Sequence, residues 1–356
     1  MRAGEGVSLL LALLSGARQA GGDTSHVGGQ VPALVRGRPA EPRLAFTPMS
    51  DHPLPSQVRI REVGPRDGFQ NEPETIATAQ KVLLIDALAR TGLKHIEVAS
   101  FVRADVIPQL ADAVAVLEAI DVPDDVRLSV LVPNERGLDS ALSVKERFHE
   151  VAVFLSASET HNRKNVNRSV EDSLATLERM APRIRGEGLD CTAVIATSFG
   201  CPYEGPVDPA RVIEIAGRLA AAGAQEVGFG DTTGMANPRQ VCEFFTRAAS
   251  ELGDLQLTAH FHNTRGQGLA NALAALQAGV TSFESSFGEL GGCPVPPGST
   301  GNIASEDLVS MFHEMGVETG IDLNALIGAS RAVQEVLGRP LTSHVLVAGP
   351  VEWQHA

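Results

Sequence analysis

From residue 58 onward the sequence alternates between short runs of β-branched and apolar residues and longer stretches whose apolar positions recur at helical spacing. This alternation limits the possible architectures more than any other feature of the chain. Strands are expected at 58–63, 95–99, 127–132, 150–155, 191–197, 226–230, 256–262 and 281–286. Between them, Val82, Ile85 and Leu88 ahead of Gly92 mark one buried helical face. Asp208-Pro209 and Asn237-Pro238 each put a capping residue before a proline suited to the first helical position. Thr264-x-x-Gln267, directly after the seventh strand, reads as a capping box. Eight such units in about 250 residues predict an α/β fold of the (β/α)8 TIM-barrel kind. The barrel is expected over 57–315, with 316–356 as a short C-terminal helical extension. A doubly wound open sheet is the alternative, but it usually carries a Gly-rich nucleotide turn after a strand. Gly64-Pro65-Arg66-Asp67-Gly68 lacks that pattern and has two charged residues at its centre.

Composition excludes several classes. With 43% hydrophobic residues the chain can build a sizeable core. A net charge of −14 argues against nucleic acid, whose binding depends on Lys and Arg. No apolar run approaches the roughly 20 residues of a membrane span. Cys191, Cys201, Cys242 and Cys293 show neither zinc-ribbon spacing nor a disulfide framework, so reduced thiols and a cytoplasmic location are expected. Residues 1–50 are rich in Gly, Ala, Pro and Arg without periodicity. The apolar run at 7–14 is a poor secretory signal, and the arginines at 18, 36, 38 and 43 only loosely suggest a transit peptide. A disordered leader or a mis-called start, with Met49 as the true beginning, is the expectation.

In a barrel, chemistry gathers where the strands end, because the following loops share one face. The first strand is followed by Arg66, Asp67 and Gln70, and the second carries Glu97. The sixth leads to Asp231 and Thr232, the seventh ends in His260-Phe261-His262, and Asn302 follows the eighth. Two residues apart on a strand, His260 and His262 point to the same side, as ligands of one metal must. Such a pair also arises as two hydrogen-bonded histidines in a polar mouth. An acid after the first strand and Asn302 after the eighth, neighbours in a closed barrel, favour the metal. Asp67, His260, His262 and Asn302 form a nitrogen and oxygen set without thiolate, which suits Mg²⁺ or Mn²⁺ with open positions for a chelating substrate. Arg66, in a Gly-flanked turn beside a ligand, is expected to face an oxyanion, and Gly291-Gly292-Cys293-Pro294 to carry a thiol over the mouth. Glu97 and Asp231 either contact substrate or orient Arg66 and the histidines; Gln70 and Thr232 are expected to bind substrate.

These segments are similar to those of the hydroxymethylglutaryl-CoA lyase family, among the metal-dependent TIM-barrel lyases and condensing enzymes. The likeness runs through Glu62-Val-Gly-Pro-Arg-Asp-Gly-Phe-Gln-Asn-Glu72, Ile96-Glu-Val-Ala-Ser-Phe101, Ser156-Ala-Ser-Glu159 and Lys164-Asn-Val-Asn167. It continues with Gly200-Cys-Pro-Tyr-Glu-Gly205, Gly230-Asp-Thr-Thr-Gly234, His260-Phe-His262, Leu290-Gly-Gly-Cys-Pro294 and Gly301-Asn302, followed by Glu306-Asp-Leu308. The resemblance implies a divalent-metal oxo-acid lyase working on an acyl-CoA, most simply a homodimer, with a place in leucine degradation and ketone-body formation. It implies Asp67, His260, His262 and Asn302 as ligands, Arg66 as enolate stabiliser and Cys293 as the loop cysteine. The reaction implied is retro-Claisen cleavage of a 3-hydroxyacyl-CoA, with His260 or Cys293 returning the proton.

Three stretches depart from the family pattern. Its loop usually reads S-V-A-G-L-G-G-C-P-Y or -F, against Ser286-Phe-Gly-Glu-Leu-Gly-Gly-Cys-Pro-Val295 here. Asp-Thr-Tyr-Gly after the second metal histidine is Asn263-Thr-Arg-Gly266, and the Arg and Tyr usual on the fifth strand are Thr192 and Val194, both expected to face substrate. The chemistry residues are therefore retained while their surroundings differ. A citramalyl-CoA lyase or a lyase for a longer homologue is the near rival. A condensing enzyme of the isopropylmalate synthase type is more remote, since those usually carry an extra C-terminal domain.

Overall fold

A computed structural model describes residues 54–292 and 301–352. The expected leader and Cys293 lie outside the described residues. Eight strands form a closed parallel barrel: β1 Arg59–Glu62, β2 His95–Ser100, β3 Arg127–Leu131, β4 Glu150–Ser156, β5 Asp190–Ala196, β6 Glu226–Asp231, β7 Gln256–Phe261 and β8 Ser282–Ser285. All eight expected strands are present, each within one residue at either end. Closure pairs β8 with β1, Ser282 opposite Arg59 and Ser285 opposite Glu62. A chain forms this architecture because each β-branched strand is sealed on its outer face by the amphipathic helix that follows it.

The helices are α1 Thr78–Leu88, α2 Ala113–Ala119, α3 Glu135–Leu142, α4 Glu159–Val166, α5 Val170–Gly186, α6 Pro209–Ala222, α7 Pro238–Leu252, α8 Gly268–Gln277 and α9 Ser305–Glu314. Ile85 and Leu88 of α1 are fully buried against the barrel, and Phe244 and Phe245 of α7 pack edge-on against Phe229 of β6. Asp208 caps α6 through Ala210 N and Asn237 caps α7 through Gln240 N, at 2.9 and 3.1 Å. The expected capping box at Thr264 is absent. Gly266, at φ +67°, closes a turn onto the Asn263 carbonyl, and α8 begins only at Gly268, without a side-chain cap. The turn needs those residues before the helix can start. After α9 follow α10 Leu323–Leu337, packed on α1 and α9, and the short α11 His344–Ala348. No helix among the described residues is long and apolar enough to cross a membrane.

The lower half of the barrel interior is charged. Arg61 of β1, 2% exposed, is ion-paired with Glu150 of β4 and Glu226 of β6, and Arg59 also reaches Glu226 at 2.6 Å. Burying such groups is tolerated only when each charge meets an opposite one with hydrogen bonds to spare. Thr192 belongs to this layer. It is buried and hydrogen-bonded to Glu150, so it does not face the mouth as its place on β5 suggested.

Candidate active site

The turn after β1 is a tight π-type turn, Gly64–Gly68, held from beneath. Glu62 Oε1 accepts from Gly64 N at 2.7 Å and Phe287 N at 3.0 Å, and its Oε2 accepts from Ser305 Oγ at 2.6 Å. Burial outweighs these three donors and pushes the Glu62 carboxyl up to about 7. A Cβ at Gly64 would lie 2.3 Å from the Phe287 ring, so only glycine fits there. This clamp aims Arg66 and Asp67 at the C-terminal mouth. Arg66 donates through Nε to Glu97 and through Nη1 to Asp67 Oδ1 at 2.7 Å. Asp67 Oδ1 also accepts from Gln70 Nε2 at 2.7 Å, and its Oδ2 accepts from Asn302 Nδ2 at 2.8 Å. Against the upward pull of burial, Arg66, His260 and His262 together hold the Asp67 carboxyl below its ordinary value.

The register of β7 turns His260 inward, and His262 follows just beyond the strand, bridged to Asn302. Their Nε2 atoms are 3.1 Å apart, and with an Asp67 oxygen the three ligand atoms lie within 4.8 Å of one another. His260 Nδ1 is 2.8 Å from Glu284 Oε2 on β8. Burial lowers His260, but the hydrogen bond and charge of Glu284 raise it above its ordinary value overall. Burial and the neighbouring His260 push His262 down to about 3. His262 is thus held neutral beside His260.

These residues fit a divalent ion. Two nitrogens bound to one ion at about 2.1 Å and a right angle would stand about 3 Å apart. Two buried polar atoms beside the cluster, Asn302 Oδ1 and His262 Nδ1, have no partner among the described residues. Asn302 presents its amide nitrogen to Asp67 and to the Leu290 carbonyl; its oxygen, the atom that can ligate, is the unpartnered one.

A cavity of about 710 Å³ opens over this cluster. Arg66, Asp67, Gln70, Thr232, His260 and His262 line it, as does Val194 of β5. Lys164 brings a positive charge to the same cavity, 5.0 Å over the Tyr203 ring. Glu97 and Asp231 are not in its lining. Glu97 stands behind Arg66, and burial keeps its carboxyl above the ordinary range despite that guanidinium. Asp231 Oδ1 accepts from Met235 N and Ala236 N at 2.7 and 3.1 Å, its Oδ2 is buried without a partner among the described residues, and burial pushes the carboxyl up to about 7. Glu284 escaped the reading of strand ends. Its only signal is an acid in the middle of the eighth strand, level with His260 once the barrel closes.

A family model described as HMGL-like matches residues 57–333. Hydroxymethylglutaryl-CoA lyase YngG of Bacillus subtilis is 46% identical over 294 residues, covering 83% of this chain and 98% of its own. (R)-citramalyl-CoA lyase of Chloroflexus aurantiacus is 44% identical over 304 residues, covering 83% and 95%. Among solved structures, an HMG-CoA lyase from Acinetobacter baumannii in complex with coenzyme A and 3-methylmalate superposes with a TM-score of 0.80 at 38% identity, covering 85% of this chain and 98% of that one.

Proposed function

The chain belongs to the hydroxymethylglutaryl-CoA lyase family and is an oxo-acid lyase, and from that premise we propose that it cleaves 3-hydroxy-3-methylglutaryl-CoA, or a close homologue, to acetyl-CoA and acetoacetate or its equivalent. The observation that carries the reading is the convergence of Asp67, His260 and His262 beside Arg66 in one cavity. Asp67, His260, His262 and the Asn302 oxygen would hold a divalent ion, Mg²⁺ or Mn²⁺, which when bound supplies Lewis-acid polarisation of the substrate's hydroxyl and carboxylate oxygens.

The protein's own groups divide the remaining work. The 3-hydroxyl proton passes to a base in the open mouth, while Asp231, which lies outside the cavity lining, fixes the turn after β6 by accepting from Met235 N and Ala236 N. As the C2–C3 bond breaks, its electrons move into the thioester and C3 becomes a ketone. Arg66, fixed by Glu97, meets the charge that develops on the thioester oxygen. Gln70 and Thr232, which line the cavity, orient the substrate, and Lys164 adds the cationic charge an acyl-CoA calls for. A proton must then reach C2. Both His260 nitrogens are engaged, one by Glu284 and one at the ligand position, so we assign proton return to Cys293.

The test incubates purified protein and Mg²⁺ or Mn²⁺ with hydroxymethylglutaryl-, citramalyl- and longer 3-alkyl homologue CoA esters and follows acetyl-CoA. No acetyl-CoA from any of them would refute the reading. Citramalyl-CoA, giving acetyl-CoA and pyruvate, is the second reading, supported by the 44% identity to an (R)-citramalyl-CoA lyase. A cytoplasmic homodimer is proposed as the working form, to be checked by sedimentation velocity.

A further inference from the structure

We propose that Glu284 is a positioning residue, which holds His260 in the tautomer that leaves Nε2 free to ligate and places a second negative charge behind the metal position. The inference rests on the reading that this mouth holds a divalent ion. A histidine ligates through an unprotonated nitrogen, so its one proton must occupy the other. In His260 the nitrogen facing His262 is Nε2, at 3.1 Å, and the nitrogen facing away is Nδ1. A carboxylate can only accept a hydrogen bond. At 2.8 Å from Nδ1, Glu284 therefore puts the proton there.

The neighbouring ligand shows what this contact adds. His262 is also buried, yet its Nδ1 has no partner among the described residues. One histidine of the pair is thus fixed in tautomer and orientation by a carboxylate, and the other has no carboxylate on its Nδ1 among the described residues.

Glu284 is itself held in place. Strand register sets Arg61, Glu284 and His260 side by side on β1, β8 and β7, across the seam where the barrel closes. Glu284 Oε1 is 3.7 Å from Arg61 Nε, while Oε2 is the oxygen given to His260. A plain ion pair with Arg61 does not account for this arrangement. Arg61 is already bonded by Glu150 and Glu226, and the nearer contact of Glu284 is with the histidine. The charge has a use as well. Asp67 is the one carboxylate among the proposed ligands, leaving a divalent ion half compensated, and Glu284 supplies a further negative charge through the ring.

Two measurements on Glu284→Gln decide the matter. Imidazole ¹⁵N NMR on metal-free protein, at a pH where the rings are neutral, should give a protonated Nδ1 and bare Nε2 for His260 in the wild type and a mixture of tautomers in the variant. Mn²⁺ binding should weaken by about ten- to a hundredfold, with kcat at saturating Mn²⁺ falling far less than kcat/KM at limiting Mn²⁺. A merely structural role would not produce that split. Glu284→Asp keeps the carboxylate, should recover part of the affinity, and carries the same measurements if the Gln protein does not fold. A single unchanged tautomer, or Mn²⁺ affinity within twofold of wild type in the variant that folds, would overturn the proposal. Wild-type protein that bound neither Mn²⁺ nor Mg²⁺ would refute the metal reading instead, while the metal-free spectrum still judged Glu284.

Discussion

Asn263 donates from Nδ2 to Glu289 Oε1 at 2.8 Å, so two positions where this sequence departs from its family touch each other. Where the family pattern has Asp after the second metal histidine, this chain has Asn263; where it has the glycine of Ala-Gly-Leu, this chain has Glu289. Glu289 keeps a left-handed backbone, φ +63°, which glycine adopts freely and glutamate does not. The hydrogen bond offsets part of that cost.

The two changes should therefore be coupled. Asn263→Asp alone sets two carboxylates at hydrogen-bond distance and should destabilise the fold by about 1–3 kcal/mol. Glu289→Gly alone exchanges a hydrogen bond for relief of backbone strain and should be close to neutral. The double variant, which restores the family's combination, should return close to wild type. Urea denaturation of the four proteins checks this; additive effects would show that the contact carries no coupling.

Arg66→Gln should lower kcat by about a hundredfold or more while leaving Mn²⁺ affinity nearly unchanged, because the lost contact is made chiefly in the transition state. Glu97→Gln should cost less, since Arg66 stays charged and keeps Asp67 as a partner. His260→Ala or His262→Ala should abolish turnover and Mn²⁺ binding with the fold retained. Near-normal turnover in Arg66→Gln would remove its assigned role.

Glu306 of α9 provides a pH signature away from the site. It is fully buried, with both oxygens accepting from Gly288 N at 2.9 and 3.0 Å, and burial pushes its carboxyl up to about 8. A carboxyl whose folded value lies above its unfolded one favours folding while it is protonated. That contribution is complete below pH 4.5 and is lost as the pH rises through about 8. Wild-type stability minus that of Glu306→Gln should fall across this window by up to about 1.4 kcal/mol per pH unit. Urea midpoints at intervals of one pH unit measure the slope, and a flat difference would contradict it.

Val194 faces the cavity where the family usually has tyrosine. The smaller side chain adds room and removes a hydroxyl, which favours a bulkier group on C3. One methylene of fit is worth only about 1–3 kcal/mol, so the parent substrate should still turn over. Val194→Tyr should shift kcat/KM toward hydroxymethylglutaryl-CoA and away from longer 3-alkyl homologues. An unchanged ranking would show that this residue does not set the preference.

Most of the barrel was legible because each strand is a short β-branched run bounded by helical periodicity, and Asp208 and Asn237 state their helix starts outright. Thr264 misled because a capping pattern is local, and here the same residues build a turn first. Arg66, Asp67, Gln70, Thr232, His260 and His262, read at or just after strand ends, meet in one cavity, whereas Glu97 and Asp231 stand outside its lining and Cys293 lies outside the described residues. Glu284 and the Arg61 layer were not legible, since which strand residues point inward and which face one another depends on a closed barrel's register. For the same reason Thr192 lies one layer lower than its place on β5 suggests.

Closure of β8 onto β1 also sets the order in which this centre can come into being. Asn302 and Asp67 touch across 235 positions of sequence, so the contact waits on the slowest kind of event in folding, the meeting of distant chain ends. A nascent chain still short of its eighth strand has the histidines but not their proper company. Mn²⁺ capture during refolding would therefore time the shutting of the ring, and no fragment lacking either end should hold the ion.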